Sequence, residues 1–172
     1  EVYHKAKPPP KKFFLPKKAE NNDKAVSYLM SREIKEEVIN FFIDKGMLYQ
    51  SSYRNNVVFV GFDEKGTARY ATMRSTNSKR FFCDVSGSDK RFSFRLTQKG
   101  ADTIHIFESA IDLISYMTIE KMQGADFKDQ CLVSLSGVNI TKKFSVVPLA
   151  LSSLVEKGEG IKTIHLHLDN DE

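Results

Sequence analysis

The sequence predicts an α/β fold, α+β overall: a small mixed unit over residues 20–98, then a parallel β/α unit over 99–172. Three observations carry this. After Gly100, apolar runs of strand length alternate with helix-period segments, the order that gives a parallel sheet with right-handed crossovers. Before it, strand-length runs are joined by short turns such as Asp63-Glu64-Lys65-Gly66, the pattern of an antiparallel hairpin. Finally, acidic residues fall at the C-terminal ends of two of the later strands, where open parallel sheets form their sites.

The elements follow in order. Residues 1–19 are rich in proline and lysine, and three consecutive prolines forbid helix and favour an extended segment. That segment reads as an arm or linker, with Phe13, Phe14 and Leu15 available to dock while the lysines stay solvated. A short helix is expected over 23–30, with Val26 and Leu29 on one side. Ser31 then resembles a cap, and Ile34, Val38, Phe41 and Phe42 keep a 3.6-residue period up to Gly46. Strands are expected over 47–51, 57–62, 68–73, 79–85 and 91–96. The later unit reads as strand 103–107, helix 110–122, strand 131–135, helix 147–157 and strand 163–168, with Pro148 tolerated in the first helical turn.

With 41% hydrophobic and 28% charged residues, the composition is that of an ordinary globular chain. No run reaches the length of a membrane span and no signal-peptide pattern opens the sequence, so no membrane partner is expected. Cys83 and Cys131 form no metal-type pair and read as free thiols, which suits a reducing cytoplasm. The first residue is not methionine, and the chain reads as part of a longer protein with other domains. The net charge of +4 is carried by residues 1–20, which hold six lysines against Glu1 and Glu20. The rest is balanced but uneven. Arg69, Arg74, Lys79, Arg80, Lys90, Arg91 and Arg95 face only Asp84 and Asp89, with Tyr70, Phe81, Phe82, Phe92 and Phe94 interleaved. Such a basic excess fits an anionic partner, whereas alternating aromatics fit a buried strand face equally well.

The chemistry-bearing motif is Thr163-Ile-His-Leu-His-Leu-Asp169-Asn-Asp171. Asp169 and Asp171 share a side if strand geometry persists, and two adjacent carboxylates repel unless a cation lies between them. Mg2+ suits oxygen donors of this kind. Glu108 stands where the 103–107 strand gives way to a helix, and parallel topology brings it, Ser136-Gly137 and the Asp169/Asp171 pair to one edge. His105, His165 and His167 alternate along the same strands. They read as histidines satisfied by hydrogen bonds, with a zinc site the less favoured alternative. Ser109 reads as a helix cap. Asp112 reads as a carboxylate complementing the helix N-terminus.

These residues carry a resemblance. Ile106-Phe107-Glu108-Ser109-Ala110-Ile111-Asp112, then Leu135-Ser136-Gly137, then Leu168-Asp169-Asn170-Asp171 resembles the Toprim domain of bacterial primases, topoisomerases and some nucleases, over about residues 100–172. The upstream Tyr28-Leu29, Val57-Val-Phe-Val-Gly61, Tyr70-Ala-x-x-Arg74 and Gly87-Ser-Asp-Lys90 is similar to the uncharacterised domain that precedes Toprim-like domains in plasmid and conjugative-element proteins. The resemblance implies Glu108 as general acid/base and Asp169 and Asp171 as the metal pair, with Asp112 as an additional acidic position. It implies Mg2+ or Mn2+ as cofactor and DNA or RNA, with nucleoside triphosphates, as partners. Arg74, Lys90, Arg91 and Arg95 would then hold phosphates. Two departures stand out: Ser109 occupies a position where primases commonly carry glycine, and the chain stops at Glu172, where a Toprim domain would continue. The expectation is therefore a primase-like nucleotidyltransferase module of a plasmid or mobile element, incomplete at its C-terminal side and inactive if isolated. A Toprim-like nuclease and a non-catalytic DNA-binding module of a mobilisation protein are the alternatives.

Overall fold

A computed structural model describes residues 11–79, 81–125, 131–136, 149–156 and 160–168. Two short helices open the described chain, α1 (Asp23–Met30) and α2 (Glu36–Asp44). Strands β1 (Leu48–Gln50), β2 (Val57–Phe62), β3 (Ala68–Arg74) and β4 (Phe82–Asp84) then form an antiparallel sheet in the order β1-β2-β3-β4. The turn at Asp63 closes as its composition demands. The Asp63 carboxylate accepts from the Lys65 and Thr67 amides at 3.0 and 2.9 Å, and Gly66 takes the left-handed φ of 74°.

The second sheet runs β5-β7-β6-β8, built from β5 (Arg95–Leu96), β6 (Thr103–Phe107), β7 (Cys131–Ser134) and β8 (Thr163–His167). Strands β7 and β8 flank β6 in parallel, as the alternating order predicts, with α3 (Ala110–Met122) and α4 (Leu149–Glu156) between them in sequence. The segment expected to be one strand over 91–96 differs. Lys90–Phe92 is a 3-10 turn, and only Arg95–Leu96 is extended. That short strand leaves the first sheet and pairs antiparallel with β7. Asp89 drives the change by capping the turn: its carboxylate accepts the Arg91 amide at 3.1 Å. The strand expected over 79–85 is likewise shorter, β4 covering Phe82–Asp84.

One core runs through both sheets. Leu29, Val38, Phe42 and Phe59 pack in the same cluster as Leu113, Ile114, Met117 and Leu132, with Phe94 between them. The Phe94 ring lies 5.0 Å from Phe42 and 5.2 Å from Phe59, centroid to centroid. Gly61 permits the chain to pass this closely: a Cβ there would lie 1.7 Å from the Phe92 carbonyl oxygen. Period-2 alternation sends Val58, Val60 and Ala71 to the other side of the first sheet, where Phe13 covers them. In the second sheet Ile104, Ile106 and Val133 face Ala150 of α4.

Cys131 is buried and Cys83 half-buried, both free, and burial pushes both thiols up, so neither is poised as a thiolate. Among the described residues, no helix is long and apolar enough to cross a membrane.

Candidate functional site

Register fixes the edge on which the site is sought. Phe107 lies beside Ser134 of β7 and His167 of β8, so all three parallel strands end together. Glu108 is the residue just past β6, half-buried at that rim. Asp169 and Asp171, expected as the metal pair, follow β8 but lie outside the described residues, as does Gly137.

Ser109 and Asp112 form a capping box on α3. The Asp112 carboxylate accepts the Ser109 amide at 3.0 Å and its hydroxyl at 2.7 Å, while Ser109 Oγ accepts the Asp112 amide at 3.4 Å. Ser109 is thus the cap its position predicts, and one oxygen of Asp112 closes the helix start a turn beyond Glu108. Among the described residues, no three His, Cys, Asp or Glu side chains come together as a metal site.

The histidines share a face with α3. His105 Nδ1 and His167 Nε2 lie 3.0 Å apart, His165 and His167 stack on the His105 ring, and Tyr116 packs against both His105 and His167. Burial, then the charges of its neighbours, hold His105 below the ordinary histidine range. The His105–His167 pair is the hydrogen-bonded arrangement favoured from the sequence, whereas His165 is exposed and stacks on His105.

The four basic residues expected to hold phosphate are dispersed. Lys90 alone reaches the rim of the second sheet: its ammonium lies 3.1 Å from Asp84 and donates to the Ser136 carbonyl at 3.2 Å. Asp84 in turn accepts the Tyr70 phenol at 2.5 Å, and burial first, then that bond, raises the Tyr70 pKa well above its ordinary value. Arg91 is more than half exposed and held by Asp89, its closest contact 2.6 Å. Arg74 donates to the Tyr28 hydroxyl at 3.3 Å, four residues and about 13 Å along β3 from Tyr70. Arg95 turns inward. Its guanidinium donates to the carbonyls of Arg91 at 2.6 Å, Ser93 at 3.1 Å and Ala150 at 2.9 Å, and burial lowers its pKa to about 10. Arg95 thereby ties the start of β5 to α4 rather than standing in a basic face.

Sequence reasoning passed over Asp84 as the partner of Lys90, because the pair forms only when the turn after β4 folds the 3-10 segment back on that strand. Ser136 carries a second overlooked signal. It adopts a left-handed φ of 61°, and its hydroxyl is buried. Non-glycine residues held in this way gather at functional strand ends.

Residues 27–100 match the model of a protein family of unknown function, DUF3991. The chain is 27% identical over 166 residues to the uncharacterized protein pXO2-78 of Bacillus anthracis, covering 92% of this chain and 46% of that protein. Among solved structures it is similar to the primase fragment of the bacteriophage T7 primase-helicase protein, with a TM-score of 0.58, 17% identity and 96% of this chain covered. It is also similar to the Escherichia coli primase catalytic core, with a TM-score of 0.51, 14% identity and 84% covered. The fold is that of primase catalytic domains. The chain spans about half the length of its curated relative, 46%, and 64% and 54% of the two primase structures.

Proposed function

We propose that this chain forms part of a primase-like protein of a plasmid or mobile element, working as a Mg2+-dependent nucleotidyl- or phosphoryl-transfer module on nucleic acid. The observation that supports it best is the shared rim: Glu108 follows β6 where β7 and β8 also end, and the Lys90 ammonium meets the Ser136 carbonyl past β7. A carboxylate and a cation on one edge are what phosphoryl transfer needs, since that chemistry is mainly positioning and charge neutralisation. The fold likeness to primases and the plasmid designation in the relative's name support the same reading. So does a solved neighbour described as a primase catalytic domain bound to single-stranded DNA, with a TM-score of 0.50.

An all-oxygen donor set of Glu108, Asp169 and Asp171, with the remaining oxygen of Asp112 behind it, fits a hard divalent cation. Mg2+ or Mn2+ would supply charge neutralisation at a phosphate. Glu108 would move the proton, Lys90 would orient the phosphate, and Arg91 would add a second, solvent-facing cation. In this reading residues 20–98 carry nucleic acid or nucleotide, residues 99–172 carry the acids, and further domains of the parent protein complete the site.

Primer-synthesis and nuclease assays on the intact parent protein, with and without Glu108→Gln, test the proposal. Loss of about 10²–10⁴-fold in one of them is expected, the usual contribution of a general acid or base. Primer synthesis supports the primase reading and strand cleavage the nuclease alternative. Calorimetric titration with Mn2+ should give binding that Asp169→Asn/Asp171→Asn abolishes. No metal binding, together with a salt-sensitive DNA affinity indifferent to these substitutions, refutes catalysis and leaves a binding module.

A further inference from the structure

The segment preceding α1 is a fixed strap. Its Lys18 bridges Ser51, the Ala19 amide donates to the Gln50 carbonyl at 2.8 Å, and the Ser52 amide donates to the Lys17 carbonyl at 2.8 Å. The Tyr49 phenol donates to the Pro16 carbonyl at 2.7 Å. At the other end Lys11 and Lys12 run against Gly87, where a Cβ would approach the Lys11 carbonyl oxygen to 2.6 Å. Between these anchors Phe13 packs on Tyr49, Val58, Val60 and Ala71. The strap therefore crosses the first sheet from its β1 edge to the turn beyond β4.

Extended alternation turns Phe14 outward as Phe13 turns inward. Phe14 is 73% exposed, between exposed Lys11 and Lys12 on one side and Lys17 and Lys18 on the other. The β1–β2 turn beside Lys17 adds Tyr53, 69% exposed, with the Arg54 guanidinium 5.0 Å from its ring centroid. Among the described residues none of these five cations is in an ion pair. A charge run serving solubility alone needs no aromatics, and exposing two of them on a backbone held this firmly has a cost in water.

We propose that the strap over residues 11–18, with Tyr53 and Arg54, is a binding platform for single-stranded nucleic acid. The lysines and Arg54 neutralise backbone phosphates, while Phe14 and Tyr53 stack on bases. The strand is single because a duplex keeps its base faces stacked on one another, out of reach of Phe14. The fixed backbone lowers the ordering cost of binding. This inference rests on the reading that nucleic acid is the partner, and is independent of the metal chemistry.

The test is fluorescence anisotropy of the full chain with labelled oligothymidine and with a duplex of equal length, across a salt series. Lys11→Gln/Lys12→Gln/Lys17→Gln/Lys18→Gln is expected to flatten the slope of log affinity against log salt by up to about 3, at roughly 0.7 per single-strand phosphate contact. Phe14→Ala is expected to weaken oligothymidine binding by about five- to 100-fold at unchanged slope, and duplex binding little. Both variants should keep the wild-type melting temperature, since they alter exposed side chains. Oligothymidine binding with slope and affinity unchanged in both variants overturns the platform and leaves the nucleic-acid reading standing. Equal wild-type affinity for duplex, with Phe14→Ala without effect, overturns the single-strand assignment. Wild-type protein that binds neither probe overturns the platform and the nucleic-acid reading together.

Discussion

Replacing Phe94 by alanine is the perturbation that reads the architecture most directly. The ring is fully buried, touches Phe42 of α2 and Phe59 of β2, and belongs to the cluster that includes Leu113 and Met117 of α3 and Leu132 of β7. Its backbone also joins the sheets, the Phe94 carbonyl accepting the Ser134 amide at 3.0 Å. A buried Phe→Ala change costs about 3–5 kcal/mol, because the hole it leaves is walled by rigid elements on both sides. Set against a typical stability of roughly 5–15 kcal/mol, that is a large fraction. With a urea dependence of about 2 kcal/mol per molar, the unfolding midpoint should fall by about 2 M. Urea unfolding followed by far-ultraviolet circular dichroism and by tyrosine fluorescence makes the measurement, the chain having no tryptophan. Both probes should move together, because one core serves both sheets. A fall below about 0.5 M, or two separated transitions of which one stays put, would refute the reasoning.

Lys90→Met should cost less than about 1 kcal/mol in stability, because the pair with Asp84 is only partly buried. It should nonetheless lower the salt slope of single-strand binding by about 0.7 if Lys90 meets a phosphate. Gly61→Ala should destabilise by about 3 kcal/mol in urea unfolding, because its methyl group meets the Phe92 backbone and nothing flexible can yield. Gly66→Ala, where the methyl group meets open space, should cost only about 1 kcal/mol through its positive φ. Tyr49, 4% exposed, has its phenol pushed up to about 12 by burial. A raised folded-state pKa gives stability that is full below about pH 10 and lost as pH rises through 12. Melting temperatures between pH 9 and 12 should therefore fall more steeply in the wild type than in Tyr49→Phe; parallel curves would contradict this.

The legible parts of the fold are those set by local pattern. Val38 and Phe42 repeat at helical spacing and form the buried side of α2, while Leu113, Ile114 and Met117 do the same for α3. The hairpin at Asp63 follows from turn chemistry, and the parallel order of β6, β7 and β8 follows from alternation. What stayed hidden depends on meetings across the chain. Residues Phe92, Phe94 and Leu96 alternate as one strand would, yet the Asp89 cap winds Lys90–Phe92 into a turn and hands Arg95–Leu96 to the other sheet. The position of Arg95 inside follows from that handover, so a basic residue among aromatics could not be sorted by pattern alone. Phe13 and Phe14 are equal in composition, and only the apolar face of Val58 and Val60 decides which one turns inward.

The candidate rim belongs to both sheets, and this ties its geometry to the core beneath. Lys90 and Asp84 come from the antiparallel part, Ser136 and Glu108 from the parallel part, and the hydrogen bond from Lys90 to Ser136 closes the gap between them. The spacing across that gap is set a few residues away, where Phe92 passes Gly61 and Phe94 fills the space between α2, β2 and β7. Shifting Phe92 therefore displaces Lys90, two residues before it in the same 3-10 turn, and carries the ammonium with it. Gly61→Ala should accordingly alter the rim as well as the stability, although no atom of Gly61 contacts a phosphate in the reading above. Comparing its salt slope with that of Lys90→Met separates the two effects. A slope lowered equally in both means the close passage at Gly61 holds the cation in place. A normal slope in a destabilised Gly61→Ala protein means Lys90 keeps its seat through Asp84 alone.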